Sequence, residues 1–233
     1  MKHQKKLFLL LMLSHVCCVV KAQDTIVSER TSIVTLSLLA PIFSYSPRYN
    51  VGYMYKVAPR WWVGLEAGYG SAAISFGDDA DDYMTKDYRI FELRPEVYYS
   101  LRNTSRKLKH LVSAEVFYID HKDHFTTDTF YENGGYPEYR YDAADYRRIK
   151  TGLNINYSLL FYFSERVGLS WKTGFGVKYR NVAYTNVVNK TFVDNSGNDE
   201  GPGGWFGIDN YKGQNGSNTN LSFNLDLKLF YKI

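Results

Sequence analysis

The stretch LSFNLDLKLFYKI, residues 221–233, sets Leu221, Phe223, Leu225, Leu227, Leu229, Tyr231 and Ile233 at odd positions and Ser222, Asn224, Asp226, Lys228, Phe230 and Lys232 at even ones. Successive side chains of a strand point to opposite faces, so this is a strand with one apolar and one mostly polar face. Its length suits a tilted strand crossing a bilayer once. Alternation alone does not say which face turns inward.

Upstream segments repeat the pattern. Residues 167–179 place Val167, Leu169, Trp171, Thr173, Phe175, Val177 and Tyr179 against Gly168, Ser170, Lys172, Gly174, Gly176 and Lys178. Residues 147–163 place Ile149, Leu153, Ile155, Tyr157, Leu159 and Phe161 against Lys150, Gly152, Asn154, Asn156 and Ser158. Residues 90–101, 61–76 and 49–57 alternate with more noise, 111–123 less cleanly, and a first strand near 32–44 is mostly apolar. Pro95 stands where a ladder hydrogen bond belongs and reads as a bulge. Eight strands is an even number, as in bacterial single-chain barrels. The links alternate: short at 58–60, 102–109 and 165–166, long at 77–89, 128–146 and 187–220, with an unusually short one at 45–48. The expected fold is therefore all-β, an eight-stranded antiparallel up-and-down transmembrane β-barrel with short periplasmic turns and long extracellular loops.

The N-terminus supports export. Lys2, Lys5 and Lys6 precede an apolar run, and Val20 and Ala22 form a small-residue cleavage pattern, so residues 1–22 read as a signal peptide. Residues 23–30 would form a periplasmic segment and 31–233 the barrel. Both cysteines, Cys17 and Cys18, leave with the leader, so no disulfide is expected. Four of the 28 basic residues leave too and none of the 24 acids, so the formal charge falls from +4 to zero. That removes any argument for a nucleic-acid partner. Aromatics are 17% of the chain, with 21 Tyr and 14 Phe, yet mean hydropathy is −0.35. A helical membrane protein would not be so polar, whereas a barrel shows lipid only alternate residues and marks each interface with aromatics.

Charge follows the links. Asp78, Asp79, Asp81, Asp82 and Asp87 fall in one long link, Asp128, Glu132, Glu138, Asp142 and Asp145 in the next, while the short link 102–109 carries Arg102, Arg106, Lys107 and Lys109. The segments Gly64-Leu65-Glu66, Leu93-Arg94-Pro95-Glu96-Val97-Tyr98-Tyr99 and Ala114-Glu115-Val116-Phe117-Tyr118, with the final Leu-Phe-Tyr-Lys-Ile, resemble the small OmpA/OmpX-like outer-membrane barrels of Bacteroidetes, those grouped as domain of unknown function 3575. The resemblance spans nearly all of the mature chain through degenerate strand patterns. It implies fold and a cell outer-membrane location, and brings no catalytic residues.

Candidate sites follow from the polar face. Glu66, Glu92, Arg94, Glu96, Glu115, Lys150, Lys172, Lys178, Asp226 and Lys228 would enter a lumen just wide enough to be filled by side chains. Acids gather on strands three to five and bases on six to eight, so they would pair across it as a plug; a gated pore or proton path is the alternative. His121 and His124, with Asp120 and Asp123, have the residue types of a metal or acid–base site, but positions three apart on a strand face opposite ways. The last long link offers Asp194, Asp199 and Glu200 to calcium, without the EF-hand pattern. Tyr131, Tyr136, Tyr139 and Tyr141, with Trp205, Phe206 and Tyr211, suit recognition of sugars or proteins, or a loop cluster packed on itself. Trp61 and Trp62 beside Arg60 read as interfacial anchors.

These features point to a non-enzymatic, monomeric outer-membrane barrel without cofactor or metal. Its partners would be outer-membrane lipid and lipopolysaccharide, and an extracellular protein or glycan met by the loops. A narrow pore, a lipid A-modifying enzyme, and a soluble lipocalin-like barrel with its apolar row inside remain as alternatives.

Overall fold

The computed structural model describes residues 31–42, 46–74, 85–101, 107–132, 137–193 and 214–233. The expected signal peptide at 1–22, the segment 23–30, and Tyr136, Trp205, Phe206 and Tyr211 lie outside the described residues. So do Asp194, Asp199 and Glu200, Arg102 and Arg106, and the acids at 78–82. Among the described residues no helix is long and apolar enough to cross a membrane.

The strands are β1 (Ser32–Ser37), β2 (Tyr49–Lys56), β3 (Trp61–Ser71), β4 (Arg89–Ser100), β5 (Leu108–Glu132), β6 (Glu138–Tyr162), β7 (Val167–Val188), β8 (Thr191–Val193) and β9 (Gln214–Lys232). From β1 to β7 each pairs antiparallel with the next, and β7 pairs with β9. The last strand then returns to the first, from Ile33↔Lys232 to Ser37↔Lys228, which closes a ring of eight antiparallel strands. β8 is an addition that pairs with β6 alone.

Strand parity decides the faces. On β9, Leu221, Phe223, Leu225, Leu229 and Tyr231 are exposed, while Ser222, Asp226, Lys228 and Phe230 are buried. The other strands agree, so the apolar row lies outside and the charged row inside. The lipocalin-like arrangement is the reverse of what is observed. Outward residues meet across strand after strand: Leu36 faces Val51, Val51 faces Ala67, and Phe175 faces both Ile155 and Phe223. Aromatics bound this belt, with Tyr55, Trp61, Tyr99, Tyr157 and Tyr231 toward the short links and Tyr49, Tyr69, Phe91, Tyr118 and Tyr179 toward the long ones. From Trp61 to Tyr69 is about 26 Å along the strand at about 3.3 Å per residue, or about 20 Å along the ring axis at a barrel strand's tilt of about 40°.

Several expectations are corrected. The 128–146 link is mostly strand, because β5 and β6 stay paired from Leu108↔Phe161 up to Tyr131↔Glu138. The acids there sit on a hairpin that also carries inward aromatics. The first and third strands end earlier than expected, the third in a 3-10 turn at Ala72–Ile74. Pro95 makes no bulge: β3 runs through Leu65↔Pro95, and β4–β5 keeps one register from Leu93↔Tyr118 to Glu96↔Glu115. The ring simply omits a ladder partner where proline has no N–H to give. Of the two tryptophans only Trp61 faces outward, edge-on to Tyr99 at 5.0 Å. Trp62 is 4% exposed and packs inside, because neighbours on a strand face opposite ways.

The interior is layered. Toward the short links, Ile33, Met54, Trp62, Tyr98, Leu111, Leu160, Tyr162 and Phe230 form an apolar plug. A polar layer follows, then a small cluster of Tyr88, Ile90, Phe117 and Ile119. Beyond the ring, the extended β5, β6 and β7 enclose Phe125, Phe130, Tyr141, Ala144, Tyr146, Val182 and Tyr184. Each of the three strands carries an irregularity within this stretch: Thr127 and Asn186 have φ of 52°, and the β6–β7 register shifts between Ala143 and Asp145. At its tip, β9 lies against β5 in a short parallel pairing at Tyr131↔Gln214, so four strands meet around the aromatic cluster.

Candidate functional site

The polar layer is built by alternate residues of five strands. On β4, Glu92, Arg94 and Glu96 are two apart and all face inward; Glu66 on β3, Glu115 on β5, Lys172 on β7, and Asp226 and Lys228 on β9 join them. Lys172 Nζ lies 2.5 Å from Glu96 and also bonds Glu115. Arg94 reaches Glu115 at 2.7 Å and bonds Glu92, which also accepts from Arg48. Lys228 bonds Glu66 and lies 3.5 Å from Asp226. An acid–base network across the lumen, expected from the strand positions of the charges, is thus present for eight of the ten residues.

Neutral donors complete it. Asn50 donates to Glu66 at 3.0 Å and to Glu92 at 3.2 Å, and Ser37 donates to Asp226 at 2.7 Å. Tyr98 and Ser113 donate to Glu96 at 2.6 and 2.5 Å, and Asn156 at 3.2 Å. Asn154 donates to Glu115 at 3.0 Å. Burying a carboxylate is costly unless cations and donors replace water, and here each acid of the network has both. Gly174 and Gly176 on β7 make room, since a Cβ at either would run into the backbone of β6 beside Asn156 and Asn154. A cavity of about 270 Å³ lies against the network, bordered by Arg48, Asn50, Glu66, Arg94, Lys172 and Lys228.

Lys150 and Lys178 are placed elsewhere. They stand nearer the long links with Arg148 and Arg180, and with Arg48 close enough to act on Lys150, in a second layer made of cations. Arg148 Nη2 bonds Ser46 Oγ at 2.8 Å. Sequence reasoning missed Arg48, Arg148 and Arg180. The last two share the inward parity of Lys150 and Lys172 and could have been found that way, whereas Arg48 precedes its strand and gave no signal.

The histidines do not assemble. His121 is buried between the rings of Tyr88 and Tyr146, at 5.0 and 5.2 Å. His124 sits on the opposite face, its Nδ1 2.7 Å from Asp145. Among the described residues no group of three His, Cys, Asp or Glu could hold a metal ion. His110 Nδ1 shares a hydrogen with the Tyr157 hydroxyl at 2.5 Å.

The aromatic recognition set is corrected in part. Tyr141 is fully buried in the upper cluster and offers nothing to a partner. Tyr139 packs against that cluster, edge-on to Phe192 and under Lys190, whose Nζ is 3.7 Å from its centroid. Tyr131 is half-buried at the tip. Outside, Asp142 accepts from Asn189 and Asp145 from Asn186, each at 2.6 Å.

No protein-family model matches the chain, and no curated protein matches it. Among solved structures it is similar to a major outer membrane protein from Thermus thermophilus, at 12% identity and a TM-score of 0.48, over 88% of this chain and 99% of that one.

Proposed function

We propose that the chain is a transmembrane β-barrel of a Gram-negative outer membrane, exported by its leader and inserted as a monomer among lipid and lipopolysaccharide. The short links face the periplasm, and the β5–β6–β7 extension stands outside the cell. The barrel is neither an enzyme nor an open pore. It acts in envelope structure, or in recognition of an extracellular protein or glycan through the outer surface of the extension.

One observation carries this reading: large apolar side chains encircle the outside while ion pairs fill the inside. Phe223, Phe175 and Leu221 are 71%, 70% and 69% exposed, and they adjoin one another across β7 and β9. Soluble monomers rarely show contiguous apolar patches beyond a few hundred Å². Hydrocarbon accepts such a belt and forbids unpaired charge, which is the division seen here. Apolar layers on both sides of the charge network speak against a continuous water path.

The test is an outer-membrane preparation run on SDS gels with and without boiling. A band in that fraction that migrates faster unboiled is expected; recovery in the soluble periplasm or medium would overturn the proposal. In planar bilayers the refolded protein should give no steady conductance, and discrete channel steps would make the narrow pore the better reading.

A further inference from the structure

At the short-link end the cations are arranged differently from those in the lumen. Lys109 on β5, Lys56 on β2 and Lys232 on β9 all occupy inward positions at the mouth, the latter two near enough to act on the charge of Lys109. Lys109 Nζ stands 5.2 Å from the centroid of Tyr162 and 5.8 Å from that of Trp62. A cavity of about 430 Å³ opens beside it, lined by Lys107, Lys109, Lys232, Tyr162, Phe163, Ser164 and a single acid, Glu165. Among the described residues, none of Lys56, Lys107, Lys109 or Lys232 forms an ion pair.

Like charges gathered over an aromatic floor repel more strongly than in open water. The ring faces offset part of that; an anion would offset the rest. Ser164 adds a donor: its Oγ accepts from the backbone N–H of Arg166 at 3.3 Å and of Val167 at 3.1 Å, which leaves its O–H to donate outward. The cavity wall is also amphiphilic. Phe163 is 57% exposed and edge-on to Phe161 at 5.4 Å, and Phe161 belongs to the outward apolar belt. The cavity therefore joins a basic mouth to a lipid-like face. A free phosphate would use only the first; a phospholipid uses both.

We propose that this cavity binds the headgroup phosphate of an anionic phospholipid in the periplasmic leaflet. Lys107, Lys109 and Lys232 hold the phosphate oxygens, Ser164 donates a hydrogen bond, and Phe161 and Phe163 pack along an acyl chain. This site rests on the membrane reading above.

The experiment is native mass spectrometry of the refolded full chain in detergent micelles, titrated with phosphatidylglycerol, phosphatidylcholine or inorganic phosphate. Phosphatidylglycerol should remain bound in preference to phosphatidylcholine. The Lys109→Gln/Lys232→Gln variant should weaken it about tenfold or more. Lys107→Glu, at an exposed position outside any strand, should weaken it without touching the barrel. Inorganic phosphate should compete only at far higher concentration. Equal retention of phosphatidylglycerol by wild type and both variants, or equal retention of the two lipids, overturns the site. Competition by phosphate as effective as by lipid overturns the lipid assignment in favour of a free anion. The same samples are run unboiled on gels: a heat-modifiable band without lipid preference sinks this site alone, and its absence sinks the membrane reading itself.

Discussion

Replacing Lys172 with methionine keeps the side chain's reach and removes its charge. Lys172 serves two carboxylates, Glu96 at 2.5 Å and Glu115. They would fare differently. Glu115 keeps Arg94 at 2.7 Å. Glu96 keeps only the neutral donors Tyr98, Ser113 and Asn156, with Lys228 farther off. A buried charge that loses its partner costs about 3–5 kcal/mol, whereas replacing both partners by uncharged groups of similar shape is close to neutral. Lys172→Met should therefore lose about 3–5 kcal/mol. Adding Glu96→Gln should restore most of that, and adding Glu115→Gln much less. The assay is guanidinium unfolding of the refolded protein in detergent micelles, followed by tryptophan emission and by the unboiled gel band, with slope as well as midpoint compared. A loss under about 1 kcal/mol, or equal rescue by Glu96→Gln and Glu115→Gln, would refute the reasoning, since it would mean that Lys172 does not hold Glu96 in particular.

Three other outcomes are expected. Phe223→Lys, in the middle of the outer belt, should cost about 2–4 kcal/mol in lipid vesicles; a gain in solubility with unchanged stability would speak for a water-exposed face. Tyr141→Ala should destabilise the upper hairpin by about 3–5 kcal/mol and open β5–β6 to limited proteolysis, while the gel shift of the ring persists; loss of both together would show that the extension and the ring fold as one unit. Hydrogen bonds from His124 and Asn186 hold the Asp145 carboxyl below its ordinary range. Its contribution is thus present above the unfolded value near about pH 3.9 and lost as pH falls through the lower folded value; an NMR titration midpoint at or above about 3.9 would contradict the arrangement.

The ring was legible because a lumen imposes one rule on every strand. Where each inward position is polar or small, as in 167–179, parity read from sequence matches the structure residue by residue. Strand β5 was harder, since Leu111, Phe117 and Ile119 face inward against Val112, Val116 and Tyr118 outside, and two apolar faces blur the period. The upper extension was not legible. Its acids resembled loop chemistry, and the irregularities at Thr127, Asn186 and Ala143/Asp145 break the alternation. Below them even positions of β6 such as Tyr146 and Arg148 face in, yet above them it is Tyr141. Among the lumen charges, parity gave the face but not the height. Lys150 and Lys178 were therefore grouped with acids that lie a layer below.

The seam between β1 and β9 has a kinetic consequence. It joins Ile33 to Lys232 through five register pairs, whereas the neighbouring β7–β9 ladder runs from Val167↔Tyr231 to Val182↔Gly216. Closing the ring therefore means bringing together parts of the chain about as distant in sequence as it allows, for a short reward in backbone pairing. Until that happens both flanking strands present open edges able to pair with other chains. Ring closure should come late and slowly, as high contact order implies. A chain halted there would aggregate through the edges that its finished form does not possess.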